Sequence, residues 1–572
     1  MRIWLVVAMM WTAASCAPHR NGDDDGDTGG SGSGSAAPTC PSCTSDGTAV
    51  LNCDGTTTEC TSTQSCSLGA CTDSCDAATE NHESVGCDYY AIDMDGTWGT
   101  DGGCYTVFVA NTSRATAHVS VEWNGQSIDL SQYAKLPQGV GQSLTYGDYD
   151  PTAGLAPNQV AILFLDYYAN TNILAPSVKC PVAAALSTGP QIVGTGVGNA
   201  FHVTTDEPVV AYQMLPYGGG DAATTGASLL LPTSAWDTSY IAVEAYDTDP
   251  NLPQLIIGVT PSFDVVAAQD NTTVTINPIN TIYAGSGVAQ GSANEPYTFM
   301  LNAGQFLQVT EKDQLSGSPV TSDKPIGVFG GNEIVAIDIC CGDHAEQELT
   351  PSRALGSLYV AAPHGDRRPE ADPRVFRIYG AVDGTQLTYD PPDLGPATIG
   401  AGGMAEIRSD SPFTVSSQGS DYPFSAFTYM TGAGSDDSMG GFGDADFVRL
   451  VPPAQFLSHY VFFTDVTYPF TTLTVVRQPN SNGNFDDVNL DCLGGAVTGW
   501  QTVGSFQIAY VKLVDTWNAQ GNCNNGVHIM DSSTPFGVWV WGWGSEDTNT
   551  GWVSYGYPAG EAVTEINDVT IF

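Results

Sequence analysis

Residues 340–347, which read Cys-Cys-Gly-Asp-His-Ala-Glu-Gln, combine side chains that ligate cations. Asp343 and Glu346 offer carboxylate oxygens and His344 offers an imidazole nitrogen, and such groups bind divalent metals in proteins. If the segment is extended, His344 and Glu346 share one face, because successive side chains of a strand alternate. The segment therefore holds the elements of a cation site.

The same residues also fit a disulfide-pinned insertion loop, which is the interpretation we favour. Adjacent cysteines more often bond to two different partners than ligate a metal beside an acid. Cys340 and Cys341 would then pair with Cys492 and Cys523.

Further acidic residues occupy corresponding places elsewhere in the chain. Insertions at one position of each repeat lie on one side of a repeat protein, often its binding side. We therefore expect a ligand surface there, with Ca²⁺ as an optional component. For each stretch taken alone, a solvated acidic turn is the interpretation we favour. These additional candidates are Asp221, Asp436, Asp437, Asp444, Asp446, Glu546 and Asp547.

Three tryptophans, Trp539, Trp541 and Trp543, alternate with small or aliphatic residues. Strand spacing places all three on one face. An aromatic platform for sugar is one interpretation, and a packed core is the one we favour, since Val328 and Phe427 hold the same position in other units.

The elements that must position these residues are repeated. A phrase of small polar residues, a proline and a hydrophobic run occurs four times, and it predicts a turn that feeds a strand. A period of about one hundred residues indicates one structural unit copied. The phrases contain Pro208, Pro325, Pro423 and Pro535, and a second phrase joins Pro232 to Tyr240, Pro351 to Tyr359 and Pro452 to Tyr460.

From residue 87 onward the sequence predicts antiparallel β structure. Apolar and polar residues alternate in stretches such as 273–276 and 472–476, and hairpin signals such as 382–385 separate them. The predicted fold class is all-β, with four units over about 87–239, 240–358, 359–459 and 460–572. Because no linkers separate the units, a propeller-like body is favoured over the alternative, a row of tandem β-sandwiches.

Cysteines indicate an oxidising compartment. Fifteen are present, and without Cys16 an even fourteen remain, which is compatible with full pairing. Residues 40–86 have few large apolar side chains, so a small disulfide-rich module of the EGF-like kind is predicted there. The disulfide candidates are Cys40, Cys43, Cys53, Cys60, Cys66, Cys71, Cys75, Cys87, Cys104, Cys180, Cys340, Cys341, Cys492 and Cys523.

The first residues predict export and anchoring. Residues 1–15 have the basic start and short apolar run of a signal peptide. Cys16 follows small residues as in bacterial lipoproteins, which predicts its lipidation; ordinary secretion is the alternative. Residues 16–39 would be the lipid anchor and an acidic Gly/Ser tether. We expect an outer-membrane or cell-surface location, with membrane contact only through the anchor.

The net charge of the chain and the absence of common catalytic motifs restrict the functions that the sequence allows. The formal net charge of −46 disfavours nucleic acid as a partner. The sequence contains no His-Glu-x-x-His, Gly-x-Ser-x-Gly, Walker or dinucleotide motif, so no catalytic residues are assigned.

Three features together resemble the N-terminal domain of IgGFc-binding proteins. They are the run 322–331, the Cys, His344 and Glu346-Gln347 segment, and the Pro351 to Tyr359 element. The resemblance covers about 87–572 and extends to exported bacterial proteins, including myxobacterial lipoproteins. The animal proteins have a proline pair where this chain has only Pro351. The resemblance implies a binding role and supplies no catalytic residues.

The sequence thus predicts a non-catalytic surface lipoprotein that binds protein or glycan. A secreted polysaccharide hydrolase that uses acidic residues, and a structural matrix component, are the alternatives.

Overall fold

The computed structural model describes residues 40–571 except 45, 141–142, 171–175, 219–223, 248–259, 339–340, 368–371, 373 and 434–439. The predicted signal peptide, Cys16 and the tether lie outside the described residues. Within the described part, no helix has the length and apolar character needed to cross a membrane.

The N-terminal module is small and held by disulfides, as predicted. It consists of β1 (Ser42–Cys43), β2 (Ala49–Leu51), β3 (Thr57–Glu59), β4 (Gln64–Ser67), β5 (Ala70–Asp73) and helix α1 (Ser74–Asn81). Asp73 caps α1 by accepting a hydrogen bond from the Cys75 backbone N–H. The module's disulfides are Cys40–Cys53, Cys43–Cys66, Cys60–Cys71 and Cys75–Cys87, and the last of them joins it to the β body.

The first unit is built around one long strand, β14. Its sheet has the order β11-β10-β12-β7-β14-β8-β9, with β6 and β15 also paired to β14. A disulfide, Cys104–Cys180, lies in its core. The elements are β6 (Gly86–Ala91), β7 (Tyr105–Asn111), β8 (Val119–Trp123), β9 (Gln126–Ser127), α2 (Leu130–Tyr133), β10 (Ala134–Gln138), β11 (Thr145–Asp148), β12 (Val160–Asp166), β13 (Gly196–Asn199), which joins the next sheet, β14 (Phe201–Leu215) and β15 (Gly226–Leu229).

The second unit follows the same plan around β21. The sheet order is β13-β20-β17-β21-β18-β19, with β16 and β22 paired to β21. Its strands are β16 (Asp237–Ile241), β17 (Pro261–Ala267), β18 (Thr272–Ile276), β19 (Tyr297–Leu301), β20 (Gln305–Thr310), β21 (Pro319–Val335) and β22 (Asp343–Glu348).

In the third unit the long strand is divided into β29 and β30. The sheets have the orders β23-β29-β26, β28-β24-β30-β31 and β25-β27. The strands are β23 (Leu358–Ala361), β24 (Arg374–Gly380), β25 (Thr385–Gln386), β26 (Thr388–Asp390), β27 (Thr398–Ile399), β28 (Met404–Arg408), β29 (Phe413–Ser416), β30 (Phe424–Met430) and β31 (Asp446–Arg449).

The fourth unit is built around β39. Its sheet order is β35-β34-β39-β33-β37-β36, with β32 and β40 paired to β39 and β38 to β37. The strands are β32 (Leu457–Thr464), β33 (Phe470–Arg477), β34 (Asn489–Leu490), β35 (Gly495–Ala496), β36 (Gln501–Val503), β37 (Phe506–Asp515), β38 (Asn518–Ala519), β39 (Gly526–Trp543) and β40 (Ser554–Pro558).

The four units form a closed ring, because each large hydrophobic core is shared by two of them. One core joins units 1 and 2, a second joins units 2 and 3, and a third joins units 3 and 4. The fourth core packs Phe108 and Tyr212 of unit 1 with Phe463 and Tyr557 of unit 4. A row of tandem sandwiches would leave its first and last units apart. The predicted all-β, propeller-like fold is confirmed.

Each unit repeats one contact, which we call the tyrosine seam. A buried tyrosine on the first strand donates its hydroxyl to the backbone carbonyl of the residue after the repeat proline. Around that proline the pairing of the first strand with the long strand is interrupted. The donor–acceptor pairs are Tyr89–Val209 at 2.7 Å, Tyr240–Ile326 at 2.7 Å, Tyr359–Phe424 at 2.8 Å and Tyr460–Phe536 at 2.5 Å.

The seam explains both repeated phrases. Proline has no N–H to pair, so it is tolerated at a bulge inside a strand. In units 1, 2 and 4 the proline phrase is such a bulge within one continuous strand, rather than the predicted turn before a strand. The second phrase is a 3₁₀ turn that carries the chain into the next unit's first strand. These turns are Thr233–Ala235, Ser352–Ala354 and Pro453–Gln455. Further 3₁₀ turns in the described residues include Trp98–Thr100, Asp491–Leu493 and Glu546–Thr548.

The C-terminal tail, residues 559–571, runs along the ring and contacts several units. The Val563 N–H donates to the His82 carbonyl in the chain segment that leads into unit 1. The Asn567 side chain donates to the Ser352 carbonyl at 2.8 Å, between units 2 and 3. Ile571 is buried in the core that those two units share. The tail therefore ties the two ends of the described chain into one body.

Candidate functional site

The last strand of each unit lies innermost in the ring. β15, β22, β31 and β40 each pair with the long strand of their own unit, and each contacts the inner strands of both neighbouring units. Small residues allow this close approach: a Cβ on Gly556 would lie 2.7 Å from Trp541 and from Val448. The four inner strands therefore surround a filled axis.

The predicted cation segment forms one of these inner strands. Asp343, His344 and Glu346 lie in β22, and every residue of this strand is buried. Asp444 and Asp446 are likewise buried, with Asp446 in β31. The interpretation of these residues as solvated or inserted loops was wrong, because polar composition suggested exposure while the ring encloses the strands.

The other sequence-predicted residues have different fates. Glu546 and Asp547 are exposed in a 3₁₀ turn whose Glu546 N–H donates to the Gly440 carbonyl, so loops of units 3 and 4 do meet. Cys492 and Cys523 bond to each other, which contradicts their pairing with Cys340 and Cys341. Asp221, Cys340, Asp436 and Asp437 lie outside the described residues. Trp539, Trp541 and Trp543 are buried in the core between units 3 and 4, so they cannot act as a surface platform.

A hydrogen-bond network joins the starts of the four inner strands. Asp343 of unit 2 accepts bonds from the Thr225 N–H of unit 1 at 3.0 Å and from the Ser554 N–H of unit 4 at 2.9 Å. The Ser554 hydroxyl donates to the Asp444 carbonyl of unit 3 at 3.0 Å. Asp343 therefore holds the four units together at one point.

Next to this network, Glu346 is the centre of a group of enclosed acids. Its Oε2 accepts a hydrogen bond from the Gln213 amide at 2.9 Å and lies 3.6 Å from His344 Nε2. Asp93 of unit 1, Asp264 of unit 2 and Asp446 of unit 3 interact electrostatically with it. We call Asp93, Asp264, Glu346 and Asp446 the acidic centre.

Each acid of the acidic centre has at least one carboxylate oxygen that accepts no hydrogen bond from a protein donor. All four side chains are buried, with exposed fractions of at most 2%. Among the described residues, no lysine or arginine forms an ion pair with any of them. The unpartnered atoms are Asp93 Oδ2, Asp264 Oδ1 and Oδ2, Glu346 Oε1 and Asp446 Oδ2.

Burial raises the pKa of each of these acids, since a charge is disfavoured away from water. The pKa values of Asp93, Asp264 and Asp446 rise well above the usual carboxyl value, and the charge of Glu346 contributes to each rise. The pKa of Glu346 is also raised by burial, against the opposing effect of His344. The group must therefore bind protons or another cation.

Two acid pairs flank the centre. Asp93 lies beside Asp166, and Asp95 lies beside Glu333, so that each pair of acids interacts directly. Burial raises the pKa of Asp166 to about 6. Such a pair retains one proton between two carboxylates.

The opposite end of the inner strands has its charges compensated. Glu348 accepts hydrogen bonds from the Leu231 N–H at 2.7 Å and the Trp236 indole at 2.8 Å. Arg449 forms an ion pair with Glu561. Each acid at this end therefore has a named donor or an opposite charge beside it, in contrast to Asp264.

The geometry does not favour the hydrolase alternative. A glycosidase needs two carboxylates that face an open cleft. The acidic centre is enclosed, and the three cavities described for this protein are lined by other residues. Among the described residues, one group of side chains has the spacing of metal ligands, namely Asp491, Cys492 and His528. It loses its thiolate to the Cys492–Cys523 disulfide.

A cleft lies between the N-terminal module and the ring. Its volume is about 800 Å³, and a second cavity of about 470 Å³ shares Asp46, His459 and Asp531 with it. Acidic groups dominate: Asp531 accepts from His459 at 2.6 Å, and burial raises the pKa of Glu83 to about 7 against the effect of His459.

Arg114 lines the same cleft, but its guanidinium is already occupied. Nη2 donates to the Thr61 and Gln64 carbonyls of the module, each at 3.0 Å. The cleft therefore has an excess of negative charge, to which a cationic group of a partner can bind.

Sequence reasoning missed most of the acidic centre outside β22. Asp264 lies within the apolar strand β17, and Asp93 directly follows the apolar end of β6. A single acid inside an otherwise hydrophobic strand was the available signal. The cleft residues carried no such pattern.

Comparisons with known proteins support the resemblance noted in the sequence. A family model described as "IgGFc binding protein" matches residues 226–542. This range begins at β15 and ends near the end of β39, so it contains three of the four inner strands. The search of curated proteins found no match.

Proposed function

The chain belongs to the IgGFc-binding protein family, and from this premise we propose that it is an exported surface lipoprotein that binds a partner protein through a basic segment. The family is one of binding proteins, and the role is non-catalytic. The partner chemistry and the anchor are the parts that need testing.

Export is supported by covalent structure. Six disulfides form in the described residues, and such bonds persist outside the reducing cytosol. The signal-like start and Cys16 agree with this compartment. A lipid on Cys16 with the Gly/Ser tether would hold the ring at a distance from the membrane.

The cleft between module and ring is the observation that carries the binding proposal. Its 800 Å³ fits a side chain or short segment of a partner. Asp46, Asp531 and, in the adjoining cavity, Asp487 supply negative charge at its walls. Complementary charge attracts lysine and arginine and accelerates association.

A glycan is the weaker ligand. Sugar sites usually present an exposed aromatic face, and the tryptophans with the best spacing are buried in a core. Around the cleft, Tyr460 directs its hydroxyl into the seam.

The binding test uses the mature protein, immobilised through its C-terminus, with oligo-arginine, oligo-lysine and oligo-glutamate peptides and a glycan array. We expect the two basic peptides to bind, with an affinity that falls as salt rises. The double variant Asp487→Asn and Asp531→Asn should weaken this binding, whereas Asp410→Asn, at an exposed site outside the cleft, should not. Binding to glycans alone, or equal binding by both variants, would refute the assignment.

The anchor is tested separately by metabolic labelling with an alkyne fatty acid. The parent protein should incorporate the label and fractionate with membranes, and Cys16→Ala should be unlabelled and released. A labelled Cys16→Ala protein would contradict lipidation at this residue. If gene deletion abolishes cell cohesion while the cleft variant restores it fully, the matrix alternative is preferred.

A further inference from the structure

The cleft between the N-terminal module and the ring consists of two adjoining cavities with different linings. The smaller cavity, of about 470 Å³, has only polar walls, made of four aspartates, three serines, an asparagine and a histidine. The larger cavity, of about 800 Å³, also has hydrocarbon side chains in its walls. The two share Asp46, Ser458, His459 and Asp531. A ligand that fills both therefore meets apolar groups in one and carboxylates in the other.

The larger cavity presents apolar surface that the fold does not cover. Val85, Leu457 and Ile529 line it, and each of them is only half-buried. Water in contact with such side chains is released when a ligand covers them, which favours binding. The larger cavity therefore suits a hydrocarbon side chain of the partner.

The smaller cavity has an excess of negative charge. Asp486 accepts hydrogen bonds from the Thr534 and Ser533 hydroxyls at 2.5 and 2.9 Å, and these bonds hold its pKa below the usual carboxyl range. Asp531 Oδ1 lies 2.6 Å from His459 Nδ1, so one imidazole faces four carboxylates. Among the described residues, no lysine or arginine lines this cavity. It therefore suits a lysine or arginine of the partner.

The strands below the cleft set the spacing between the two kinds of wall. On β39, Ile529 lines only the larger cavity, whereas Asp531, two residues later, lines both. On β32, Val461 and His459 show the same step, and they pair with Ile529 and Asp531. Side chains two positions apart on a strand share a face and lie about 7 Å apart. The lining thus changes from apolar to charged over one i, i+2 step on both strands.

We propose that the cleft recognises an extended segment in which a large apolar side chain and a lysine or arginine are two residues apart. This inference rests on the proposed function and makes its partner more specific. An extended segment has the same i, i+2 repeat as β32 and β39. Its apolar side chain enters the larger cavity while its cation lies among the carboxylates of the smaller one.

Charge separates the possible occupants of the cleft. A second copy of this chain is disfavoured, because a formal net charge of −46 makes the copies repel each other. The tether before the module is repelled in the same way, since it contains Asp23, Asp24, Asp25 and Asp27. A partner protein that supplies both an apolar and a basic side chain is the occupant that fits both walls.

The first experiment uses the mature protein and labelled peptides of one length, with serine at all other positions. One peptide has leucine and arginine two residues apart, a second has them adjacent, a third has arginine only and a fourth has leucine only. Each pattern is made in both directions along the chain, and fluorescence anisotropy measures the affinities. The first peptide should bind at least about tenfold more tightly than the others, because only it buries a leucine while its cation is bound.

The outcomes separate this inference from the function on which it rests. If arginine peptides bind equally with and without leucine, or equally with adjacent and alternate placement, the inference is overturned and the basic-segment proposal stands. If the peptide with leucine only binds as tightly as the first, the smaller cavity takes no part and the inference fails. If no arginine peptide binds, both proposals fail.

A matched pair of variants locates the apolar contact. Ile529→Thr keeps a β-branched side chain on the strand and removes part of its hydrocarbon. It should weaken binding of the first peptide at least about fourfold and leave binding of the arginine-only peptide unchanged. Ile279→Thr makes the same change at an exposed site outside the cleft and should bind as the parent does. Parent-like affinity of Ile529→Thr for the first peptide would contradict the assigned contact.

A direct readout in the parent protein covers the case in which the Ile529→Thr variant does not fold. A diazirine analogue replaces leucine in the first peptide; on irradiation it loses N₂, and the resulting carbene inserts into a bond of a neighbouring side chain. Mass spectrometry should find this label on residues of the larger cavity, including Val85, Leu457 or Ile529. Label found only on residues outside both cavities would overturn the inference.

Discussion

The tyrosine seams and the acidic centre lie in the same ring, but they differ in whether their residues and hydrogen bonds are repeated from unit to unit. At the seams the same residue types make the same hydrogen bond in all four units, and every polar atom involved has a partner. At the acidic centre the residues differ between units. The register of the inner strands places Ala227, Phe447 and Gly556 where unit 2 has Glu346.

This difference separates framework from function. A fold built from copies needs each copy to close in the same way, so the seam is repeated. A function that acts at one point of the ring needs only one set of side chains, so the acidic centre is not repeated. Positions that break the repeat while remaining buried and unpartnered are therefore the best candidates for function.

The largest expected effect is at a seam. Tyr359→Ala removes a buried ring and leaves a cavity next to Phe424, which should cost about 3–5 kcal/mol of unfolding free energy. Chemical denaturation of the parent and of the variant measures this loss. A loss below about 1 kcal/mol would show that the seams are not the framework.

A second expected effect separates ordinary buried acids from the acidic centre. Glu244 holds the same place after the seam tyrosine as Asp93, but backbone groups satisfy one of its oxygens, including the Leu315 N–H at 2.6 Å. Burial raises its pKa to about 8 from 4.5, so the folded state retains its proton more tightly than the unfolded state. Stability from this group is present below pH 4.5 and is lost as pH rises toward 8.

Glu244→Gln should therefore be more stable than the parent at pH 8, by about 1.4 kcal/mol for each pKa unit that the shift represents. Urea unfolding at pH 5 and pH 8 measures the change, and Glu295→Gln is the exposed control. An identical pH dependence in the parent and the Glu244→Gln variant would contradict the raised pKa.

Smaller changes test whether the seams are equivalent. Tyr240→Phe, Tyr359→Phe and Tyr460→Phe each remove one hydroxyl and leave a buried carbonyl and N–H without a partner. Each should lose about 1–3 kcal/mol, with similar values in the three units. A seam that tolerates the change much better than its counterparts would break the fourfold comparison.

The smallest expected effect lies outside both regions. Arg114→Ala frees the carbonyls of Thr61 and Gln64 at a partly exposed site and should cost about 1 kcal/mol or less. Limited proteolysis should cut residues 40–73 faster, while the rest of the chain is cut as slowly as in the parent. Equal digestion of residues 40–73 in the parent and the variant would contradict this role of Arg114.

The sequence allowed the framework to be predicted much better than the centre. The proline and tyrosine phrases gave the all-β fold, four units and their order, because each copy must satisfy the same local geometry. The spacing also placed the stretches that contain Asp343 and Asp446 at corresponding positions of their units. A repeat appears in the amino-acid sequence itself, so it can be recognised without a structure.

Burial of polar residues was not predictable in the same way. Residues 343–348 are rich in charge and read as exposed, yet the inner strands of three other units cover them. The partners of Glu346 are up to 253 residues away, as the numbers of Asp93 and Glu346 show. Only closure of the ring brings these acids together.

The C-terminal tail, residues 559–571, is the last part of the ring to be synthesised, so the ring closes late. Its residues complete contacts with the first unit and with the boundary between the second and third. During export the chain emerges from its N-terminus, so three units and most of the fourth are outside before the tail arrives. Contacts between such distant residues form slowly. A chain that lacks residues 559–571 would leave these contacts unmade and would expose the apolar surface that Val563 and Ile571 cover.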